Sequence, residues 1–181
     1  IDLPMNNMYY PSYDEFKHLA TMGNLVPVYR QLFADTLTPV SAFQKISDSE
    51  NAFLLESDAG GEKISRYSFL GANPFIEFTS FGHRIEINRG DKGKEVMHTQ
   101  YPLEVLYKEI KSFTPVQVDG LPNFFSCGVG YIGYDTVRCY EALPNIPTDD
   151  LSLPDIHVMF YDSVIIFEQL KKTIKVVCAA K

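Results

Sequence analysis

Along most of the chain, apolar residues either alternate with polar ones or recur every three to four positions, and these two rhythms mark out its elements. Ser12-Tyr13-Asp14-Glu15 has the S-x-x-E form of a capping box, in which the Ser12 hydroxyl accepts from the Glu15 amide while the Glu15 carboxylate reaches back. A helix through Phe16, Leu19 and Ala20 should follow it and stop at Gly23. Residues 25–33 alternate as a strand, and Pro27, which lacks an amide hydrogen, places that strand at a sheet edge or at its own entry. Thr38-Pro39 reads as the N-cap and first residue of a second helix running through Ile46.

The middle of the chain is rich in strands. Residues 52–57 (AFLLES), 65–70 and 75–81 each carry a strand pattern, and 83–89 (HRIEINR) sets Ile85 and Ile87 on one face. Gly90-Asp91-Lys92-Gly93 turns the chain, so that 94–99 returns as a hairpin partner. Residues 101–114 form the clearest helix, with Pro102 near its start and Leu103, Leu106, Tyr107, Ile110 and Phe113 on one buried stripe. The apolar segment 125–134 (FSCGVGYIGY) is interrupted at Gly128, Gly130 and Gly133, where the absence of side chains allows another backbone to come close. A brief helix over 135–141 and a proline-rich loop over 143–154 follow it. Three strands at 155–162, 163–168 and 173–179 complete the pattern, the last two joined at 169–172.

Strands dominate and several are joined by short turns, which predicts an α+β fold of mostly antiparallel sheets with interspersed helices. Residues 1–24 read as a helical lead-in and 25–181 as one domain. The chain ends directly after the apolar strand VVCAA, which would expose its amides and carbonyls if left unpaired. The expectation is therefore a piece of a longer polypeptide.

Composition narrows the class of function. Sixteen Lys and Arg against 23 Asp and Glu give a net charge of −7 without a long run of either sign, which argues against nucleic acid, whose phosphates call for a concentrated basic surface. No apolar stretch approaches the ~20 residues of a membrane span, and IDLPMNNMYY is not a secretory signal. Cys127, Cys139 and Cys178 are far apart and odd in number, so buried thiols in a reducing cytoplasm are expected.

Candidate chemistry is sparse. His18, His83, His98 and His157 fall on four separate elements without metal-ligand spacing. GVGYIG fits G-x-G-x-x-G letter for letter, yet no long helix follows it to supply the amides of a phosphate cradle. Gly60-Gly61 with Lys63 lacks the ending of a phosphate loop and fits a hairpin turn instead.

A resemblance takes the reading further. Phe53-Leu54-Leu55-Glu56-Ser57, Gly60-Gly61, then Ser65-Arg66-Tyr67-Ser68-Phe69-Leu70-Gly71 with Pro74 resemble the LLES…RYSFLG…P signature of anthranilate synthase component I. Thr38-Pro39-Val40-Ser41-Ala42-Phe43 is similar to the family's preceding helix, and GVGYIGYDTVRCYE, DLSLPD and MFYDSVIIF to its second block, in the same order. The resemblance implies the amino-terminal part of the large-subunit fold, from a lyase that converts chorismate to anthranilate and pyruvate. That enzyme uses Mg²⁺ and takes ammonia from a glutamine amidotransferase subunit, component II. Its chorismate and metal ligands would lie in a carboxyl-terminal catalytic region outside this sequence, so the present chain should be inactive alone.

By the same resemblance, Leu55, Glu56 and Ser57 line half of a tryptophan feedback site. Arg66 either supports that pocket or makes an ordinary ion pair. Strand alternation sets Leu54 and Glu56 on one face and Leu55 and Ser57 on the other, so Leu55 and Ser57 are expected to face the ligand, with Glu56 contributing backbone. Tyr131, Tyr134 and Asp135 are family-typical residues for which packing is the expected role. The related large subunit of aminodeoxychorismate synthase is the nearest alternative, and a stand-alone binding or interaction module is the alternative from another class.

Overall fold

A computed structural model of the chain describes residues 9–48, 51–56, 66–146 and 148–181. The elements in chain order are α1 (Tyr13–Leu19), β1 (Val26–Phe33), α2 (Pro39–Phe43), β2 (Phe53–Leu55), β3 (Tyr67–Gly71), β4 (Ile76–Phe81) and β5 (Arg84–Asn88). They continue with β6 (Lys94–His98), α3 (Pro102–Lys111), β7 (Cys127–Ile132), β8 (Ile156–Tyr161), β9 (Ser163–Glu168) and β10 (Thr173–Ala180). Two compact units share them.

The first unit comprises Ile1–Asn73, Phe113–Cys127 and Tyr161–Lys181. The predicted Ser12 capping box forms, the Ser12 amide donating to Glu15 Oε2 at 2.8 Å; Thr38 is the N-cap of α2 as read, and a second, unpredicted box joins it to Ser41, the Thr38 amide donating to Ser41 Oγ at 2.9 Å. The five-stranded sheet has the order β1-β10-β9-β3-β2, with each pairing antiparallel. Pro27 lies on the edge strand β1, as its missing donor requires, and Tyr10 bridges to Tyr29 on the outer side of that strand.

One face of this sheet carries α2. Ala42, Leu70, Phe167 and Ile174 form a buried cluster there, with Leu54 and Ile165 packed against it. On the opposite face Val164, Ile166 and Val177 are buried, and Phe53 meets Tyr161 edge-on with ring centroids 4.8 Å apart. Gly71, paired with Phe53, makes room for that ring, since a Cβ there would stand 2.4 Å from Phe53 Cε1.

Two expectations are corrected in this unit. β10 does not leave an open edge: it lies between β1 and β9 and is paired on both sides, because the chain folds back to meet a strand about 150 residues earlier. Cys178 is exposed instead of buried, and Cys139 in the second unit is half-buried; both are free thiols.

The second unit comprises Pro74–Ser112 and Gly128–Phe160, with a five-stranded sheet of order β6-β5-β4-β8-β7. Alternation works as read: Ile85 and Ile87 are both buried, together with Ile76, Phe78, Ile156 and Phe160. The apolar stripe of α3 is only partly realised. Leu106 is buried, but Tyr107 and Ile110 stand 60% and 49% exposed, while Glu109, between them, forks onto Arg89 with two contacts of 2.7 Å. Helical period places residues on a face, and burial then depends on what lies opposite.

Candidate functional site

β2 ends at Leu55, so alternation fixes Leu54 and Leu55 and does not extend to Glu56. Leu54 turns towards the cluster beneath α2, and Leu55, on the other face, is 44% exposed. Glu56 is exposed, and Ser57 lies outside the described residues. Leu55 pairs across the sheet with Phe69, whose ring neighbours Tyr67 at 6.1 Å and Phe124 at 4.7 Å.

Arg66 stands just before β3, three residues from Phe69 of that pair. Its Nε and Nη2 both donate to Glu168 Oε1, at 3.1 and 2.5 Å, and its guanidinium lies over the Tyr67 ring, 5.0 Å from the centroid. Glu168 shares a face with Tyr67, its direct partner in the ladder. Lys175 Nζ donates to Glu168 Oε2 at 3.3 Å, and Lys171 Nζ lies 3.8 Å from Oε1. Glu168 and Lys175 are almost fully buried, whereas the Arg66 side chain is 39% exposed.

The electrostatics follow from this geometry. Burial pushes the Glu168 carboxyl up, but the hydrogen bonds from Arg66 and Lys175 and the nearby charges of Lys175 and Lys171 outweigh it, so Glu168 titrates below its ordinary value. Arg66 is raised, chiefly by its hydrogen bond to Glu168. The geometry gathers three basic side chains, Arg66, Lys171 and Lys175, around one carboxylate, partly beneath the surface. A guanidinium pinned from one side can offer its remaining N–H groups to a carboxylate or phosphate from the other.

The sequence reading weighed Arg66 alone and missed Glu168 and Lys175. A signal was available. Lys175 is the only charge inside the apolar run of β10, and Glu168 closes the apolar run of β9. In a hairpin turning at 169–172, residue 168 faces 173, so Glu168 and Lys175 are diagonal neighbours of opposite charge, within reach of long side chains.

The glycine segment has no phosphate cradle. A Cβ at Gly130 would stand 1.9 Å from the carbonyl oxygen of His157, and the Gly133 amide donates to Asp155 O at 2.7 Å, so these glycines serve close backbone approach. Only a short 3-10 turn, Tyr134–Cys139, follows them. The packing role expected for Tyr134 does not hold, since it is 85% exposed at the start of that turn. Tyr131 is 43% exposed and meets His157 edge-on, and Asp135 pairs with Arg138 at 2.9 Å. Open hollows of about 600 and 590 Å³, lined in part by Tyr10, His18 and Asp119 and by Tyr131, Arg138 and Leu151 respectively, contain none of the predicted site residues.

Two sheets of mostly antiparallel strands with few helices, and a buried ionic cluster on the first of them, define an α+β protein. The chain belongs to the anthranilate synthase component I family. Anthranilate synthase component 1 of Acetivibrio thermocellus is 40% identical over 171 residues, covering 94% of this chain and 34% of that protein. Anthranilate synthase alpha subunit 2, chloroplastic, of Arabidopsis thaliana is 37% identical, covering 88% of this chain and 28% of that protein. The crystal structure of anthranilate synthase component I from Streptococcus pneumoniae TIGR4 superposes with a TM-score of 0.52 at 28% identity, covering 81% of this chain and 30% of that one. The chain thus spans about a third of the length of the curated relatives it matches. No family model matches it. Among the described residues, no helix is long and apolar enough to cross a membrane.

Proposed function

We propose that this chain is the amino-terminal, regulatory part of an anthranilate synthase component I, carrying half of a tryptophan feedback site. Leu55, Glu56, Ser57 and Arg66 contribute this half, and a carboxyl-terminal catalytic region contributes the rest. The observation that carries the reading is the division of labour at β2: Leu54 serves the core beneath α2, while Leu55 stays open on the other face, two residues along β3 from Tyr67 and its pinned neighbour Arg66. An indole needs an apolar surface, and the charged end of an amino acid needs a few fixed polar groups.

The intact subunit would convert chorismate to anthranilate and pyruvate with ammonia from the glutamine amidotransferase subunit, component II, in the cytoplasm. The Mg²⁺ of that reaction is assigned to the catalytic region. Among the described residues no three His, Cys, Asp or Glu side chains gather as a metal site requires. Tryptophan would inhibit by binding one conformation of the intact subunit better than another, since equal affinity for both would shift nothing.

Two measurements test the reading. Micromolar tryptophan should suppress anthranilate formation by the intact subunit; an insensitive enzyme overturns the regulatory assignment and favours the folate-branch relative. Residues 1–181 alone should form no anthranilate and bind tryptophan weakly or not at all by calorimetry. Turnover by this chain, or tight binding, refutes the split-site account.

A further inference from the structure

We propose that Glu168 is a positioning residue: with Lys175 behind it, it fixes the Arg66 guanidinium as the receptor for the carboxylate of the amino-acid ligand, an inference that rests on the regulatory reading above. Glu168 accepts at both oxygens, Oε1 from Arg66 Nε and Nη2 and Oε2 from Lys175 Nζ, so no rotation releases one cation without releasing the other. Thr173, opposite Glu168 on β10 and 4% exposed, leaves its Oγ1 without a partner and does not compete for the carboxylate. Both oxygens of Glu168 thus serve cations.

The cluster also points outward. Glu168 and Lys175 are buried, while Arg66 keeps 39% of its side chain exposed and its Nη1 has no partner among the described residues. Tyr67 beneath the guanidinium sets the plane in which the free N–H groups lie. Three cations on one carboxylate leave an excess of positive charge that a second carboxylate would neutralise, and the free edge of a guanidinium matches that group in shape.

Holding the sheet together does not account for the arrangement. β3 and β9 are already joined along Tyr67–Gly71 by a full ladder, and a buried ion pair contributes little that apolar residues of similar size would not. Leu55, Phe69 and Tyr67 lie on the same face, so an apolar surface runs from Leu55 towards the fixed charge. The ligand class is therefore an amphiphilic carboxylate: an apolar body over Leu55 and an acid group at Arg66.

The test compares L-tryptophan with tryptamine, which keeps the indole and ammonium and lacks the carboxylate, by calorimetry on the intact subunit. Arg66→Met should weaken L-tryptophan about 10- to 100-fold, the span of a lost charge-assisted pair, and leave tryptamine unchanged. Arg66→Lys should recover only part of that loss, because an ammonium lacks the fork. Glu168→Gln should weaken L-tryptophan about tenfold, again without effect on tryptamine. A purely structural role would weaken both ligands alike, and that result overturns the proposal. If Glu168→Gln does not fold, Glu168→Asp, which keeps the charge but withdraws it by one methylene, carries the same comparison. Wild-type subunit that binds L-tryptophan, with variants that preserve its preference over tryptamine, sinks this inference alone. Wild-type subunit that binds neither ligand sinks the regulatory reading and this inference with it.

Discussion

Each sheet holds a glutamate contacted by several cations, and the two differ in depth. Glu168, in the first, is 2% exposed between Arg66, Lys171 and Lys175, whereas Glu86, in the second, is 15% exposed between Arg84 and Lys94, themselves 44% and 52% exposed. Both carboxyls titrate below their ordinary value. For Glu86 the leading cause is the Lys94 hydrogen bond; for Glu168 burial is the largest influence and acts in the opposite direction. Long cations beside water are screened and lose side-chain freedom when they pair, so Glu86 and its neighbours mainly dress a surface. The first cluster has paid its desolvation and must keep every partner, which makes it a means of orienting Arg66.

Breaking the buried cluster should have the largest effect. Glu168→Leu strands Lys175 without its carboxylate and should lower the unfolding free energy by about 3–5 kcal/mol, read by urea denaturation. Adding Lys175→Met should restore most of that loss; a double variant no better than the single one would mean that burial of charge is not the cause. Next comes a change in the second sheet that involves no charge. Gly130→Ala sets a methyl against the His157 carbonyl and should destabilise by about 1–3 kcal/mol, so that close approach, not ion pairing, governs this sheet.

The pH dependence sharpens the contrast. A carboxyl whose folded value is depressed stabilises fully above its unfolded value and loses that contribution as pH falls through the folded one. Stability should therefore fall below pH 4.5, and Glu168→Leu should flatten this acid arm more than Glu86→Gln does. An equal effect of the two variants on urea midpoints between neutrality and acid would erase the distinction. The smallest change is expected from Glu86→Gln at neutral pH: its midpoint should match the wild type in about 0.5 M salt, where surface charges are screened. A clear loss there would give Glu86 a share of the stability that its exposure denies it.

Local physics made much of the fold readable. Ser12 and Thr38 announce their helices because a hydroxyl three residues before its partner satisfies orphan amides whatever the rest of the chain does. Pro27 declares an edge because it cannot donate, and Ile85 and Ile87 declare a face because strands alternate. What escaped the reading depends on distant partners. Tyr107 and Ile110 have helical spacing but stay largely exposed, β10 finds its second neighbour in β1, and Arg66 meets Glu168 from 102 residues away. The candidate site was half visible for the same reason: LLES and Arg66 stood out by resemblance, and their buried anchor did not.

The outer margin of the first sheet bears on how the molecule keeps apart from its copies. Along β1, Pro27 has no hydrogen to give, and Tyr10 clasps Tyr29 with both main-chain bonds, at 2.9 and 2.7 Å; at the far margin β2 is only three residues long. A stray strand arriving at either border finds few free amides in sequence to zip onto. Growth by accretion is blunted at both borders, and the ionic cluster around Glu168, on the central strand β9, lies away from both.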